Sequence, residues 1–147
     1  MADKITFRCP SCGTLNRAPA DKAGMTGICG QCGANVQVPM TAWPVEVTDS
    51  SFDKRVRMAP GPVLVEFWSP SCGHCIRMEG AVNELARDLA GRITVAKMDI
   101  SSNRNTPSKF DITGTPAFLL FKDGVEKTRV MGAVPKEELA RQILAFI

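Results

Sequence analysis

The chain contains two segments that differ in how apolar and polar residues alternate. Residues 1 to about 40 have few apolar positions, many glycines and no strong helical periodicity. Such a segment buries too little surface to offset the entropy lost on ordering, so it needs an additional stabilising link between its parts. From Trp43 onward, apolar runs of strand length and helical repeats appear. We therefore expect a small module over residues 1–40 and a larger domain over residues 41–147.

The larger segment begins with a helix, a strand and a second helix. Residues 48–50 (TDS) are a candidate cap for a first helix that ends near residues 59–61. Residues 62–68 form an apolar run typical of a strand covered on both faces. Apolar residues then recur at steps of three and four from Cys75 to Leu89, which indicates one face of a long helix closed by Gly91.

The remaining pattern predicts a mixed sheet. Residues 93–100 have the pattern of a second strand, and a short helical or irregular crossover follows over 103–110. Two further strand-like runs flank Lys122-Asp123-Gly124, which is typical of a hairpin. A last helix is expected to begin at Pro135 and to bury a stripe made of Leu139, Ile143 and Phe146. This order predicts an α/β fold whose central sheet combines parallel and antiparallel strands.

Composition and charge limit the classes of function. The chain of 147 residues is 44% hydrophobic and carries a formal net charge of +3, which is ordinary for a globular protein. Neither segment is basic enough to indicate nucleic acid on charge alone. No apolar run approaches the roughly 18 residues of a membrane span, and the N-terminus shows no apolar secretory segment. We therefore expect a cytoplasmic monomer with no membrane or nucleic-acid partner.

The 6 cysteines occur as three CxxC pairs. A disulfide framework is one interpretation, but such frameworks belong to small secreted chains. Three identical short spacings instead favour metal or redox chemistry.

The first two pairs have the spacing of a four-cysteine zinc site. Each CxxC turn can direct two thiolates at one point, and two turns complete a tetrahedron around zinc, which predicts the ligands Cys9, Cys12, Cys29 and Cys32. His74, the only histidine, belongs to the third pair. Two local disulfides, or a redox switch that ejects the metal, are the alternatives. The segment resembles a zinc ribbon, a module that serves as a structural plug, a docking surface or a nucleic-acid binder.

The third pair, Cys72-Gly73-His74-Cys75, follows the apolar strand and opens the long helix. Free amide groups and the helix dipole at that end favour a thiolate on Cys72. Cys75 lies one turn further in, so it can attack only a mixed disulfide already formed on Cys72. The placement predicts a nucleophile and a resolving thiol. A structural or metal-binding pair would need further ligands that the neighbouring sequence lacks.

From about Trp43 to Ile147 the chain resembles the thioredoxin family. The matching blocks, in order, are VLVEFW (63–68), CGHC (72–75), VAKMD (95–99), GTP (114–116), FLLFKDG (118–124) and Gly132. With the front module included, the chain is similar to the zinc-containing bacterial thioredoxins of the thioredoxin 2 type. The resemblance implies a thioredoxin fold, a central mixed sheet with helices on both faces, preceded by a zinc ribbon. It also implies zinc as the only cofactor, with no organic cofactor.

The resemblance also implies a proton-handling group beside the cysteines. Glu66 occupies the position of the family's buried acid, which exchanges protons with Cys75, and Lys97 is its partner in the family pattern. The alternatives are a glutamate that points to solvent and a lysine that is merely exposed. Apolar neighbours of Glu66 favour burial, and burial raises the pKa of a carboxyl.

A substrate groove is implied in the same way. Trp68 resembles the tryptophan that shields the active-site loop, although plain core packing is the alternative. Pro116 resembles the family's cis-proline, beside which the backbone of Thr115 pairs with an extended substrate. Gly73 of the redox motif and Gly132 complete the expected substrate-binding set.

Three positions depart from the family pattern. Ser71 replaces a second tryptophan, so the rim is expected to be less apolar. His74 replaces proline and gives the CGHC motif familiar from protein disulfide isomerases. Gly80 replaces a helix-kinking proline, which puts the bend of that helix in question.

The expected function is reduction of disulfide-containing proteins, with a thioredoxin reductase as the electron donor. The CGHC motif makes an oxidant or isomerase the main alternative. A binding protein, in which the ribbon docks a partner and the thioredoxin fold is a scaffold, is the alternative from another class.

Overall fold

A computed structural model describes residues 4–19, 22, 24–38, 44–90 and 92–147 of the chain. The front segment forms two antiparallel hairpins, one of β1 (Lys4–Arg8) with β2 (Leu15–Pro19) and one of β3 (Thr26–Ile28) with β4 (Asn35–Gln37). The expected boundary between modules near residue 40, the start of the resemblance at Trp43, and Gly91 all lie outside the described residues.

In the part of the chain that the structure describes, the larger segment is built on a five-stranded sheet. Its strands are β5 (Val45–Glu46), β6 (Val63–Trp68), β7 (Thr94–Asp99), β8 (Ala117–Lys122) and β9 (Val125–Met131). Their spatial order is β5-β7-β6-β8-β9. Strands β5, β7 and β6 are parallel to one another, β8 is antiparallel to β6, and β9 is antiparallel to β8. The predicted mixed sheet and hairpin are confirmed.

Within the described residues, three α-helices and one π-helix accompany the sheet. They are the π-helix Asp53–Arg57, α1 (Gly73–Asp88), α2 (Asn105–Lys109) and α3 (Lys136–Leu144). Helix α1 runs without interruption through Gly80. Among the described residues, no helix is both long enough and apolar enough to cross a bilayer.

The two faces of the sheet have separate apolar cores. Leu64 and Val95 pack with α1 and α3 on one face. Val65 and Met98 pack with the π-helix and the end of α2 on the other. Because side chains alternate along a strand, Glu66 and Lys97 lie on the α1 face with Leu64 and Val95. The sheet therefore presents both polar groups toward the helix that carries the redox motif.

One sequence prediction about the helices is wrong in detail, and another is confirmed in part. Phe146 was expected in the buried stripe of the last helix, but α3 ends at Leu144 and Phe146 is 47% exposed. The first helix is a single π-helical turn, and Thr48 of the predicted cap makes a reciprocal pair of hydrogen bonds just before it. The Thr48 N–H donates to Ser51 Oγ at 2.8 Å, and the Ser51 N–H donates to Thr48 Oγ1 at 3.2 Å. The Asp49 carboxylate instead accepts hydrogen bonds from the backbone N–H groups of Arg104, Asn105 and Thr106. Asp49 therefore caps the start of a helix more than fifty positions away, while Thr48 serves the nearby one.

A small apolar cluster joins the front hairpins to the larger domain. Ile5 and Val38 are buried, and Phe7, Ala18 and Ala90 pack against them. Ala90 follows the C-terminal end of α1. The front module therefore contacts the C-terminal end of α1, the helix whose N-terminal end carries the redox motif.

Candidate functional site

The CGHC motif lies where β6 leads into α1, and its two cysteines form a disulfide with 5.3 Å between their Cα atoms. Cys72 is the N-cap of α1, and its Sγ accepts a hydrogen bond from the backbone N–H of Cys75 at 3.1 Å. Cys72 is partly exposed, whereas Cys75 is only 4% exposed. One sulfur is thus reachable from outside and sits in the field of the helix amides, while the other lies behind it.

The first turn of α1 adds a second polar interaction. His74 is exposed, and its Nδ1 lies 2.7 Å from Nη2 of Arg77. A guanidinium can only donate, so Nδ1 accepts and the ring proton of neutral His74 is on Nε2. The first turn contains no acidic residue that would oppose a thiolate on Cys72. The spacing of three residues on a helix was a signal for this pair that the sequence interpretation did not use.

Glu66 is buried in the central strand of the sheet with 1% exposure. Neither carboxylate oxygen has a hydrogen-bond partner among the described residues. Burial raises the pKa of Glu66 to about 7, which Lys97 opposes and Glu79 reinforces. The carboxyl is therefore poised to gain or lose a proton near neutral pH.

Lys97 and Trp68 surround this acid. Lys97 is opposite Glu66 in the β6–β7 ladder, and its Nζ lies 4.5 Å from the ring centroid of Trp68. Both residues are partly buried, and the indole N–H of Trp68 has no partner among the described residues. A cation held over the indole face in this way is attracted by the ring and stays near the carboxyl.

The predicted groove residues lie at the same end of the sheet. Thr115 precedes Pro116 through a cis peptide bond. Gly132, with φ of +88°, donates its backbone N–H to the Pro116 carbonyl at 2.8 Å. In the antiparallel β6–β8 pair, Ala117 is opposite Phe67, so the residues just before β8 lie beside the end of β6. The structure therefore brings these residues to the end of the sheet at which β6 leads into the redox motif.

The four front cysteines form a single cluster. Their Sγ atoms all lie within 4.8 Å of one another, and the Sγ atoms of two pairs, Cys9 with Cys32 and Cys12 with Cys29, are 3.7 Å apart. Four thiolates about 2.3 Å from a zinc ion stand about 3.8 Å apart. The cluster therefore fits a tetrahedral zinc ion.

Two similar turns build this cluster. In each, a glycine with positive φ (Gly13 at +77°, Gly33 at +75°) donates its backbone N–H to the carbonyl of the first cysteine of its pair. Backbone N–H groups also point at sulfur, from Ser11 to Cys9 and from Gln31 to Cys29, each at 3.4 Å.

Cys29 receives the most hydrogen-bond support. The backbone N–H of Cys32, with further donors on Asn16 and Gln31, lowers the pKa of the Cys29 thiol to about 6. Sequence reasoning missed Asn16, because an asparagine near a tight turn has no pattern that distinguishes it from an ordinary turn residue.

Residues 43–145 match the family model described as Thioredoxin. The chain belongs to the thioredoxin family. A second model, described as Thioredoxin 2, N-terminal, matches residues 8–34, which contain the four clustered cysteines. The two matches together show the thioredoxin 2 type, with a zinc-ribbon module in front of a thioredoxin domain.

Curated relatives support the same assignment. A thioredoxin of Pseudomonas aeruginosa is 46% identical over 97 residues, covering 65% of this chain and 89% of the relative. A thioredoxin of Rhodospirillum rubrum is 40% identical over 102 residues, covering 69% and 98%. A chloroplastic M-type thioredoxin of Pisum sativum is 41% identical over 101 residues, covering 69% and 59%. The chain is a thioredoxin-type disulfide reductase.

Proposed function

We propose that the chain reduces disulfides of other proteins through Cys72 as nucleophile and Cys75 as resolving thiol. The observation that carries this assignment is the partly exposed Cys72 sulfur at the N-cap of α1, in front of the buried Cys75. The Cys72 thiolate attacks one substrate sulfur and releases the other as a thiolate. Cys75 then attacks the Cys72 sulfur and releases the second substrate thiol. The substrate gains two electrons and two protons, and Cys72 and Cys75 are left as a disulfide. A thioredoxin reductase then supplies two new electrons, which restore the dithiol with two protons.

Glu66 is the proposed acceptor of the proton that Cys75 must lose before it attacks. Its pKa of about 7 suits transfer in either direction at neutral pH. Lys97 and Trp68 are the proposed neighbours that keep a positive charge near this carboxyl. Thr115, Pro116, Gly132 and Gly73 are the proposed contacts for the substrate chain beside the disulfide.

Cys9, Cys12, Cys29 and Cys32 are the proposed ligands of one structural zinc ion, with no organic cofactor. The carrying observation is the agreement between their sulfur separations and tetrahedral zinc geometry. We assign the metal module to residues 1–40 and the redox domain to residues 41–147. Metal analysis of the purified reduced protein tests this; one zinc per chain is expected, and clearly less than one contradicts the ligand set.

The proposed setting is the cytoplasm, with the chain acting as a monomer. Six reactive or metal-binding thiols are best kept in a reducing compartment, because zinc binds thiolates and not disulfides. Size-exclusion chromatography with light scattering checks the oligomeric state.

Isomerase activity is the second candidate, because His74 gives the motif a CGHC sequence. Insulin-disulfide reduction with NADPH and a thioredoxin reductase, run beside refolding of scrambled ribonuclease, separates the two. Rapid insulin reduction with little refolding supports the reductase. Slow reduction with efficient refolding would favour the isomerase.

A further inference from the structure

Asn16 connects the two halves of the cysteine cluster. It lies on β2, the strand that follows the first CxxC turn, and is partly buried. Its Nδ2 donates to the carbonyl of Thr14 at 3.2 Å and to the Sγ of Cys29 at 3.4 Å. Its Oδ1 accepts the backbone N–H of Gly30 at 3.1 Å. A carbonyl can only accept and a backbone N–H can only donate, so these two partners define which end of the amide faces the sulfur.

The second half of the cluster shows that the hairpin itself does not need this amide. The backbone bonds repeat, since Cys9 N–H donates to Thr14 in the first half and Cys29 N–H donates to Ala34 in the second. The residue seven positions after the first cysteine is Asn16 in one half and Val36 in the other. Val36 is buried against Cys9 and Cys29. An apolar side chain therefore satisfies the equivalent position, and the polarity of Asn16 serves the opposite half.

We propose that Asn16 is a positioning residue of the metal site, acting through the Sγ of Cys29. This inference rests on the proposed zinc site. Four thiolates around Zn²⁺ leave a net charge of −2, which donors outside the ligand set offset while they orient the sulfur lone pairs. The Asn16 amide provides one such donor and, through Gly30, fastens the second CxxC turn to the first hairpin.

Two variants separate the bond to sulfur from the other contributions of the side chain. Asn16→Leu keeps the branched shape and the number of heavy atoms in the side chain and removes all three hydrogen bonds. Asn16→Asp keeps the acceptor for Gly30 and loses the donor to Cys29. Asn35→Leu is the matched control, because Asn35 is exposed on β4 and makes no side-chain hydrogen bond with any described residue.

Zinc affinity of the full chain is measured by competition with a chromogenic chelator. We expect at least a tenfold loss for Asn16→Leu, a loss at least as large for Asn16→Asp, and a change below twofold for the control. With cobalt in place of zinc, the thiolate-to-metal charge-transfer band should move to longer wavelength in both Asn16 variants, because an unbonded thiolate gives up an electron more easily. The band should not move in the control.

Affinities and bands within the control's range in both Asn16 variants, with the wild type binding one zinc, would overturn the inference and leave the zinc site intact. A wild type that binds no zinc would instead refute the proposed ligand set. A loss of affinity without a band shift would also contradict the role assigned to the sulfur bond, because it would reduce Asn16 to a packing residue.

Discussion

At the scale of single residues, the two redox cysteines differ mainly in access. Cys75→Ser should leave Cys72 able to attack but unable to release its target, so mixed disulfides with other proteins accumulate. Cys72→Ser should trap none, because the buried Cys75 cannot reach an incoming disulfide. Non-reducing electrophoresis of a cell extract mixed with each variant checks this. Equal trapping by both variants would show that the nucleophile is misassigned.

The buried carboxyl of Glu66 links stability to pH. Burial raises its pKa from 4.5 to about 7, so ionising it in the folded state costs free energy that builds up between those two pH values. Relative to the wild type, the unfolding free energy of Glu66→Gln should therefore rise by about 3 kcal/mol between pH 4 and pH 8. Urea denaturation at several pH values measures it.

Glu46→Gln provides the matched control, because it makes the same change at a carboxyl that is exposed. The same Glu66→Gln substitution should slow resolution of the mixed disulfide at neutral pH. A flat pH dependence would mean that the carboxyl titrates as if it were in water.

His74 is expected to influence the redox potential. An imidazole next to Cys72 at a helix N-terminus favours the thiolate by charge or by a hydrogen bond, which makes the pair less reducing. We expect a potential between about −270 and about −180 mV and a shift of roughly 30 mV in the negative direction for His74→Pro. Position 74 lies in the first helical turn, where a proline removes no intrahelical bond.

Equilibration with glutathione compares the wild type, His74→Pro and Arg77→Ala. Arg77→Ala removes the hydrogen bond to the His74 ring but keeps the ring itself, so its redox potential should stay closer to that of the wild type. An unchanged or less negative potential in His74→Pro would identify His74 as a spacer.

At the scale of elements, Asp49 holds the start of α2 against the turn before the π-helix. Although partial burial opposes it, the N–H groups of Thr106, Asn105 and Arg104 lower the pKa of Asp49. The stabilisation is therefore present above the carboxyl's unfolded pKa and is lost as the pH falls through the lower folded value. Asp49→Ala should cost about 1 to 2 kcal/mol at pH 7, and this cost should shrink below pH 4.

Urea denaturation at pH 7 and pH 3 tests this capping role. Asp53→Ala is the control, because its exposed pair with Arg57 is worth less than about 1 kcal/mol. Equal effects of the two substitutions at pH 7 would contradict it.

The sheet and long helices were predictable because their signals are local. A short, nearly continuous apolar run marks β6, and a repeat of three and four marks α1, each within a few residues. The bond from Asp49 to Thr106 spans 57 residues, so no local pattern announces it. The same holds for Asn16 and Cys29, while the CxxC pairs were recognisable because each forms a single turn.

At the scale of the whole molecule, the metal module and the redox domain meet through the few apolar residues around Ile5 and Ala90. The module has little core of its own, so its order depends on the metal. Chelation under reducing conditions should abolish amide-exchange protection in β1–β4 and leave β6–β8 protected. Mass-spectrometric hydrogen exchange measures both regions at once.

A variant lacking both Cys72 and Cys75 is the control, since it excludes an effect of the chelator through the redox thiols. Loss of protection throughout the sheet would show that the two parts unfold as one.

The arrangement of the hairpins also bears on the order of events during synthesis. Each front hairpin closes a loop of six residues, between Arg8 and Leu15 and between Ile28 and Asn35, and such hairpins form in about 1 to 10 μs. Forty residues separate Cys32 from Cys72, which a ribosome adding about 5 to 20 residues per second covers in about 2 to 8 s. We expect the four front thiols to be occupied by metal before the reactive thiol is made. The growing chain is thereby protected from pairing its own cysteines wrongly.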